Sequence, residues 1–344
     1  MTDAASRTSL TPLNGLDLLL ADLDGVVYTG PTAIPYAVES INRAQQSIRV
    51  GYITNNASRT ADSVAGHLSE LGLTVTGDDV VTSPQAAIVL LADLVPAGST
   101  ILVVGGEGLT SVVEAHGFRV TRSAEDSPAA VIQGFHPSVA WTDLAEAAFA
   151  LRAPADGSPG IPWVATNTDW TIPQARGTAP GNGTLVSAVH TAVGRLPVVA
   201  GKPERAIFDA AIERFAASRA LYLGDRLDTD ILGANRAGIA SALVFTGIDG
   251  AKQVLAADAD SRPTFLLGDL RELFEPYPAP VEERDAAGDR TFTSAASVVR
   301  LAGSVVSIDA AGDRQIDLLR AGTAAVWGAG VPIYALDVAP GLYS

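Results

Sequence analysis

The sequence predicts an α/β protein: a doubly wound parallel sheet of Rossmann-like form, a second α/β domain inserted into it, and a small C-terminal appendage. Three observations predict this class. Short, nearly unbroken apolar runs alternate with segments of helical periodicity, the pattern of strands buried on both faces between packed helices. Four polar clusters follow directly on such runs or just precede a helix, where the carboxyl ends of parallel strands open onto a ligand crevice. The clusters are unequally spaced: Asp24 and Thr54 lie 30 positions apart, whereas Thr54 and Lys202 lie 148 apart, which is room for an inserted domain.

Taken in order, residues 16–21 (LDLLLA) form the first apolar run, suited to a buried strand that ends at Asp22. Ile34, Val38, Ile41 and Ile48 then recur at near-helical spacing, and residues 50–54 (VGYIT) read as the next strand. Within the long gap, residues 101–104 (ILVV), 131–133 (VIQ) and 163–166 (WVAT) are strand candidates, alternating with helical patterns near 108–116 and 143–152. Ile207, Phe208, Ala211, Ile212 and Phe215 mark a helix face, followed by strand candidates at 221–224 (LYLG) and 241–245 (SALVF). The proline-rich EPYPAP and the charged VEERD after it read as a linker. Beyond it, residues 295–308, 315–327 and 333–338 suit a strand, a helix and a strand. The expected organisation is a discontinuous core over 14–83 and 198–275, an insert over 84–197, a linker over 276–290 and an appendage over 291–344.

Composition narrows the function. A chain of 344 residues, 47% of them hydrophobic, can bury a sizeable core. Its net charge of -15 would repel a phosphate backbone, so nucleic acid is not an expected partner. There is no cysteine, hence no disulfide framework and no thiolate metal site. The N-terminus lacks the basic start and apolar run of a secretory signal, and no uncharged apolar run reaches the roughly 18 residues of a membrane span. The expectation is a cytoplasmic protein with no membrane partner. Only two of the 23 basic residues are lysine, Lys202 and Lys252, so a lysine is unusual in this chain.

Asp22 and Asp24, in ADLDGVV, place two carboxylates at a strand end, which is costly unless a hard cation with oxygen ligands neutralises them. By itself such a segment also suits an ordinary turn. Thr54, Asn55 and Asn56 offer a hydroxyl, amides and backbone N–H groups to phosphate oxygens, or form a plain loop. Lys202, in VVAGKPE, stands before a helix opening at Pro203, where it could neutralise an anion or simply be solvated. Residues 224–230 (GDRLDTD) bring three acids together after a strand; a capped helix start accounts for Thr229 and Asp230, but Asp225 is harder to explain that way. The meeting of all four at one sheet edge favours a ligand site.

In this order the segments DLDGV, TNN, GKP and GDRLDTD resemble the signature motifs of the haloacid dehalogenase superfamily. The likeness is greatest to the branch of NagD-like nucleotidases, p-nitrophenyl phosphatases, pyridoxal phosphatases and glycerol 3-phosphate or phosphoglycolate phosphatases, and covers roughly residues 14–275. The stretch TNTDWTIPQARGTAPGNGTL within the insert is similar to that branch as well. The resemblance implies a magnesium-dependent phosphatase acting on a small-molecule phosphate ester. Asp22 would be the nucleophile that forms an aspartyl phosphate, and Asp24 the general acid and base. Magnesium would be held by Asp22, the Asp24 carbonyl and Asp225, with Asp230 behind them. Thr54, Asn55 and Asn56 would bind phosphate, and Lys202 would balance charge. Arg226 would reach the substrate or stand as a surface arginine.

The resemblance also makes the insert a cap of the C2 type that chooses the substrate through Asp169, Trp170 and Arg176. Asp169 and Arg176 would bind substrate hydroxyls or pair with one another. The overall pattern leans to glycerol 3-phosphate, with phosphoglycolate, a nucleoside monophosphate or pyridoxal phosphate as alternatives. A protein that binds a phosphate ligand without turning it over is the rival reading, against which the second acid, Asp24, argues. The tail beyond 284 departs from the family length and is left to docking or to assembly of a homo-oligomer.

Overall fold

The computed structural model describes residues 10–153, 157, 159–174 and 176–343. They form two compact units. One takes the chain up to Thr29, Ala33–Ile48 and the chain from Arg219 onward; the other takes Gly30–Thr32 and Arg49–Ser218.

The first unit is built on parallel strands in the order Phe265–Leu267, Ala240–Val244, Ala220–Gly224 and Leu18–Ala21. Leu18, Leu19, Leu20 and Ala21 are all fully buried, which is why this strand reads as an unbroken apolar run and not as an alternation. Pairing of Ala21 with Leu223, and a hydrogen bond from the Asp22 N–H to the Leu223 carbonyl at 2.8 Å, bring Asp22 and Asp225 to the same edge. The helix Ala37–Ala44 buries Ala37, Ser40, Ile41 and Ala44, the i, i+3, i+4, i+7 stripe of a helix with one core face.

The second unit holds the parallel pair Arg49–Thr54 and Val80–Thr82 and a five-stranded parallel sheet. The order of that sheet is Val198–Val199, Trp163–Ala165, Ala130–Gln133, Thr100–Val104 and Arg119–Thr121. The helices Trp141–Ala150 and Asn182–Val193 contribute to a core with Leu102, Val104, Val131, Trp163 and Ala165. Residues 49–83 and 198–218 thus fall in the same unit as 84–197. Within this unit, hydrogen bonds join the loops after Arg49–Thr54, Trp163–Ala165 and Val198–Val199.

The C-terminal region departs from the expected strand, helix and strand. Its sheet runs Val281–Arg284, Arg290–Ser294, Ser297–Ala302, Val305–Ala310 and Asp337–Val338, so a strand occupies part of the stretch expected as a linker. Residues 295–308, expected as one strand, fold back as a hairpin. Ala302 pairs with Val305, and Gly303 sits at φ +58° as the first residue of the two-residue turn, the position a II′-type turn gives to glycine. Ser297, Val299 and Leu301 alternate inward, and Val299 and Leu301 join the helix Gln315–Gly328 in an apolar cluster. That cluster also contains Leu227, Ile231, Leu243 and Leu266, so the appendage shares the core of the parallel sheet and is not tethered to it by a free linker.

A buried cation fastens this junction. Arg320, 2% exposed, donates to Asp317 at 2.6 Å, to the Leu266 carbonyl at 3.1 Å and to Glu272, and its guanidinium lies 4.5 Å from the centre of the Tyr277 ring. Removing one partner of a buried charged network leaves the others uncompensated, at a cost of about 3–5 kcal/mol. Arg320→Ala is therefore expected to lower the urea midpoint of unfolding by about that free energy, while kcat of the surviving folded enzyme stays near wild type. An unchanged midpoint would show that the network contributes nothing.

Candidate active site

The site residues of the first unit gather at the ends of the strands Leu18–Ala21 and Ala220–Gly224. Asp22, Asp225 and Asp230 are all buried, and one carboxylate oxygen from each lies within 4.8 Å of the others. Three buried carboxylates at such range repel one another, and a hard divalent cation with oxygen ligands relieves that repulsion. The donor set, carboxylates without sulfur or imidazole, fits magnesium or calcium better than zinc or copper.

Each carboxylate is held by the local chain. The Ile248 N–H donates to Asp225 Oδ2 at 2.8 Å. A Cβ on Gly25 would stand 2.3 Å from that oxygen, and one on Gly247 2.0 Å, so both neighbours need glycine; Gly25 also adopts φ +86°. The Asp230 carboxylate accepts from the Tyr222 hydroxyl at 3.0 Å and from the Arg226 N–H at 3.1 Å. The chain over Leu227–Ile231 takes a π-helical turn before the α-helix Leu232–Ala237, and Asp230 turns its side chain back to the start of that turn. Thus Asp230 does not cap an ordinary helix start.

Asp24 is exposed and, among the described residues, stands outside the close group of three. A solvent-facing carboxylate next to a buried one suits proton transfer to and from water. Arg226 forks onto Asp228, with contacts of 3.0 and 2.8 Å. Burial raises the Asp228 carboxyl, but the Arg226 fork and backbone N–H groups of Asp228 and Thr229 together hold it below its usual range. Asp249, which no sequence pattern singled out, accepts from the Leu227 N–H at 2.6 Å, and burial pushes its carboxyl up. Its position just after the strand Ala240–Val244, at the same sheet edge, is the signal that points to it and to Gly247.

The second unit assembles the other expected residues around Asn55. Thr54 is buried at the end of its strand, and its hydroxyl accepts from the Asn56 N–H at 3.1 Å. The Asn55 carboxamide is engaged at both ends. Its Nδ2 donates to Asp169 at 3.1 and 3.2 Å and to the Lys202 carbonyl at 3.1 Å, while its Oδ1 accepts the Lys202 N–H at 2.8 Å. Both hydrogens of this amide are thus engaged within the loops. The Asn55 carbonyl accepts from Ser83 and Asn167, both at 2.7 Å, and Asn182 donates to the Asn167 carbonyl at 2.8 Å. Lys202 is buried and is followed by a cis peptide bond to Pro203.

Asp169 bonds to Asn55, and Arg176 stands exposed in the turn between Thr171–Gln174 and Gly177–Pro180. Trp170 is 65% exposed.

Comparison with known proteins places this arrangement. A model of haloacid dehalogenase-like hydrolases matches residues 19–119, and a second HAD-like hydrolase model matches residues 199–273. The chain is 48% identical over 259 residues to the D-glycerol 3-phosphate phosphatase of Mycobacterium tuberculosis, covering 75% of this chain and 71% of that protein. The chain belongs to the haloacid dehalogenase-like hydrolases. A further member, an acid sugar phosphatase of Staphylococcus saprophyticus, is 32% identical and is covered over 96% of its length, with 74% of this chain.

Solved structures of the same hydrolases are similar to it. The glycerol phosphate phosphatase of Mycobacterium tuberculosis, crystallised with magnesium, superposes with a TM-score of 0.84 at 42% identity over 96% of this chain and 95% of that one. The 4-nitrophenylphosphatase of Thermotoga maritima superposes with a TM-score of 0.69 at 29% identity over 77% and 98%. As a haloacid dehalogenase-like hydrolase among relatives that are phosphatases, the chain is a phosphoric monoester hydrolase. Among the described residues, no helix is long and apolar enough to cross a membrane.

Proposed function

We propose that this hydrolase is a magnesium-dependent phosphomonoesterase whose physiological ester is glycerol 3-phosphate, and that it works through an aspartyl phosphate on Asp22. The observation that carries the reading is the buried group of Asp22, Asp225 and Asp230 at adjoining strand ends. The identity of 48% to a D-glycerol 3-phosphate phosphatase supports the choice of ester. Asp22, the Asp24 carbonyl and Asp225 would hold the cation, with Asp230 bracing them. When bound, magnesium orients the ester and offsets charge on the transferring phosphoryl group.

The Asp22 carboxylate attacks phosphorus, and the ester oxygen leaves with the proton of Asp24. Asp24, now ionised, takes a proton from water as that water attacks the aspartyl phosphate, which releases phosphate and restores both acids. Thr54, the main chain at Asn55 and Asn56, and Lys202 serve the phosphate; Arg226, tied to Asp228, is given no contact with the ester. Residues 84–197 act as the cap, with Trp170 and Arg176 reading the alcohol from their exposed positions on its loop. The substrate class suits a cytoplasmic enzyme.

The test is phosphate release from glycerol 3-phosphate, phosphoglycolate, a nucleoside monophosphate, pyridoxal phosphate and a chromogenic aryl phosphate, with magnesium, after chelation, and after magnesium is restored. Chelation should stop all five reactions and magnesium should restore them, with glycerol 3-phosphate showing the highest kcat/KM among the metabolites. Replacing Trp170 and Arg176 together with alanine should reorder the metabolites while sparing the aryl ester. Undiminished turnover without metal excludes the carboxylate site as the reaction centre. A different preferred ester overturns the choice of substrate alone.

A further inference from the structure

The loops around Asn55 assign a task to Asp169 that differs from substrate recognition. A carboxamide presents an oxygen at one end and an N–H pair at the other, and only one of its two orientations fits a given set of partners. Around Asn55 the partners are the Asp169 carboxylate and the Lys202 carbonyl on the nitrogen side, and the Lys202 N–H on the oxygen side. Turned over, the amide would set oxygen against a carboxylate and a carbonyl, and N–H against N–H.

In the observed orientation Asn55 grips the main chain of Lys202 at both its N–H and its C=O, across 147 positions of sequence. The approach is close: a Cβ on Gly201 would lie 2.5 Å from Asn55 Oδ1. Asp169 is itself fixed, since its N–H donates to Asn167 Oδ1 at 3.1 Å and Asn167 bonds back to the Asn55 carbonyl.

We propose that Asp169 is a positioning residue: its oxygens, as hydrogen-bond acceptors, lock the Asn55 carboxamide in the orientation that fixes the backbone of Lys202, and so place the lysine ammonium for phosphoryl transfer. This rests on the reading of Lys202 as a phosphate-side cation in the reaction above. Asp169 then serves every ester alike, in contrast to the expectation that it reads substrate hydroxyls.

The experiment is a double-mutant cycle of Asp169→Ala, Asn55→Ala and the pair, with Asp169→Asn as the conservative variant, assayed on glycerol 3-phosphate and on p-nitrophenyl phosphate. Misplacing a charged group by a fraction of an ångström costs on the order of tenfold or more in rate. Asp169→Ala is expected to lower kcat about tenfold on both esters with each KM changed by less than about twofold. The pair should be no worse than Asn55→Ala alone, because the two act as one unit. Asp169→Asn, whose amide oxygen still accepts from Asn55, should recover kcat to within about threefold and leave the ranking of esters unchanged.

A rise in KM confined to glycerol 3-phosphate, or effects that multiply in the pair, would overturn the proposal. Should Asp169→Ala not fold, Asp169→Asn decides: a changed ranking of esters overturns it, and an unchanged ranking with near-normal kcat upholds it. Wild-type protein without activity on either ester would instead refute the phosphatase reading on which it stands.

Discussion

Asp22→Asn is expected to lose phosphate release by roughly a thousandfold or more, because the amide cannot form the aspartyl phosphate and is a poorer oxygen donor to a cation. The fold should survive. Asp22 shares its buried edge with Asp225 and Asp230, whose oxygens lie within 4.8 Å of its own, so removing one negative charge relieves repulsion when no metal is bound. The metal-free variant should therefore unfold at or above the temperature of the metal-free wild type. Added magnesium should raise the wild-type midpoint by mass action and raise that of the variant less. These midpoints, measured calorimetrically beside an assay of phosphate release, separate loss of chemistry from loss of structure. Turnover within roughly tenfold of wild type would remove Asp22 from the nucleophile's role.

Asp24→Asn divides the reaction by its leaving group. With glycerol 3-phosphate the departing alkoxide needs a proton, so kcat should fall by about 10²–10⁴-fold. With p-nitrophenyl phosphate the phenolate leaves without help, so the first step should proceed and the second, which needs a base for water, should stall. Rapid mixing should then show a burst of about one nitrophenolate per chain followed by slow turnover. The exposed position of Asp24 supports this double use, since the same carboxylate must meet both the ester and the entering water. A variant with full turnover on glycerol 3-phosphate would reassign the acid and base roles, and a linear trace without a burst would show that the two steps are not separated.

Much of the site was legible from local pattern. The run ending at Asp22 is apolar at every position because the strand is buried on both faces, and burial of that kind leaves its mark residue by residue. The glycine of DLDG was equally legible, although its reason is tertiary: the Asp225 carboxylate occupies the space a side chain would need. The hairpin at Gly303 was missed because residues 295–308 carry a strand-like composition throughout, and the turn depends on one glycine within it. The charged stretch near 281–284 was read as a linker for a related reason. Its strand is exposed at every position, so it carries no apolar alternation, and it is ordered by pairing with Arg290–Ser294.

What the sequence by itself determined is the α/β class, the strand ends that carry Asp22, Thr54 and Asp225, and the spacing that leaves room for an insert. Each follows from burial and periodicity over a few residues, which a single segment records. Only the tertiary structure decided what the polar side chains do. Asn55 meets Asp169 across 114 positions and Lys202 across 147, and Arg320 reaches Glu272 across 48. Hydrogen bonds require their partners within about 3 Å in a set direction. No local pattern encodes the location of a partner so far along the chain, so the same asparagine reads as a phosphate ligand in the sequence and as a brace for Lys202 once the loops have met.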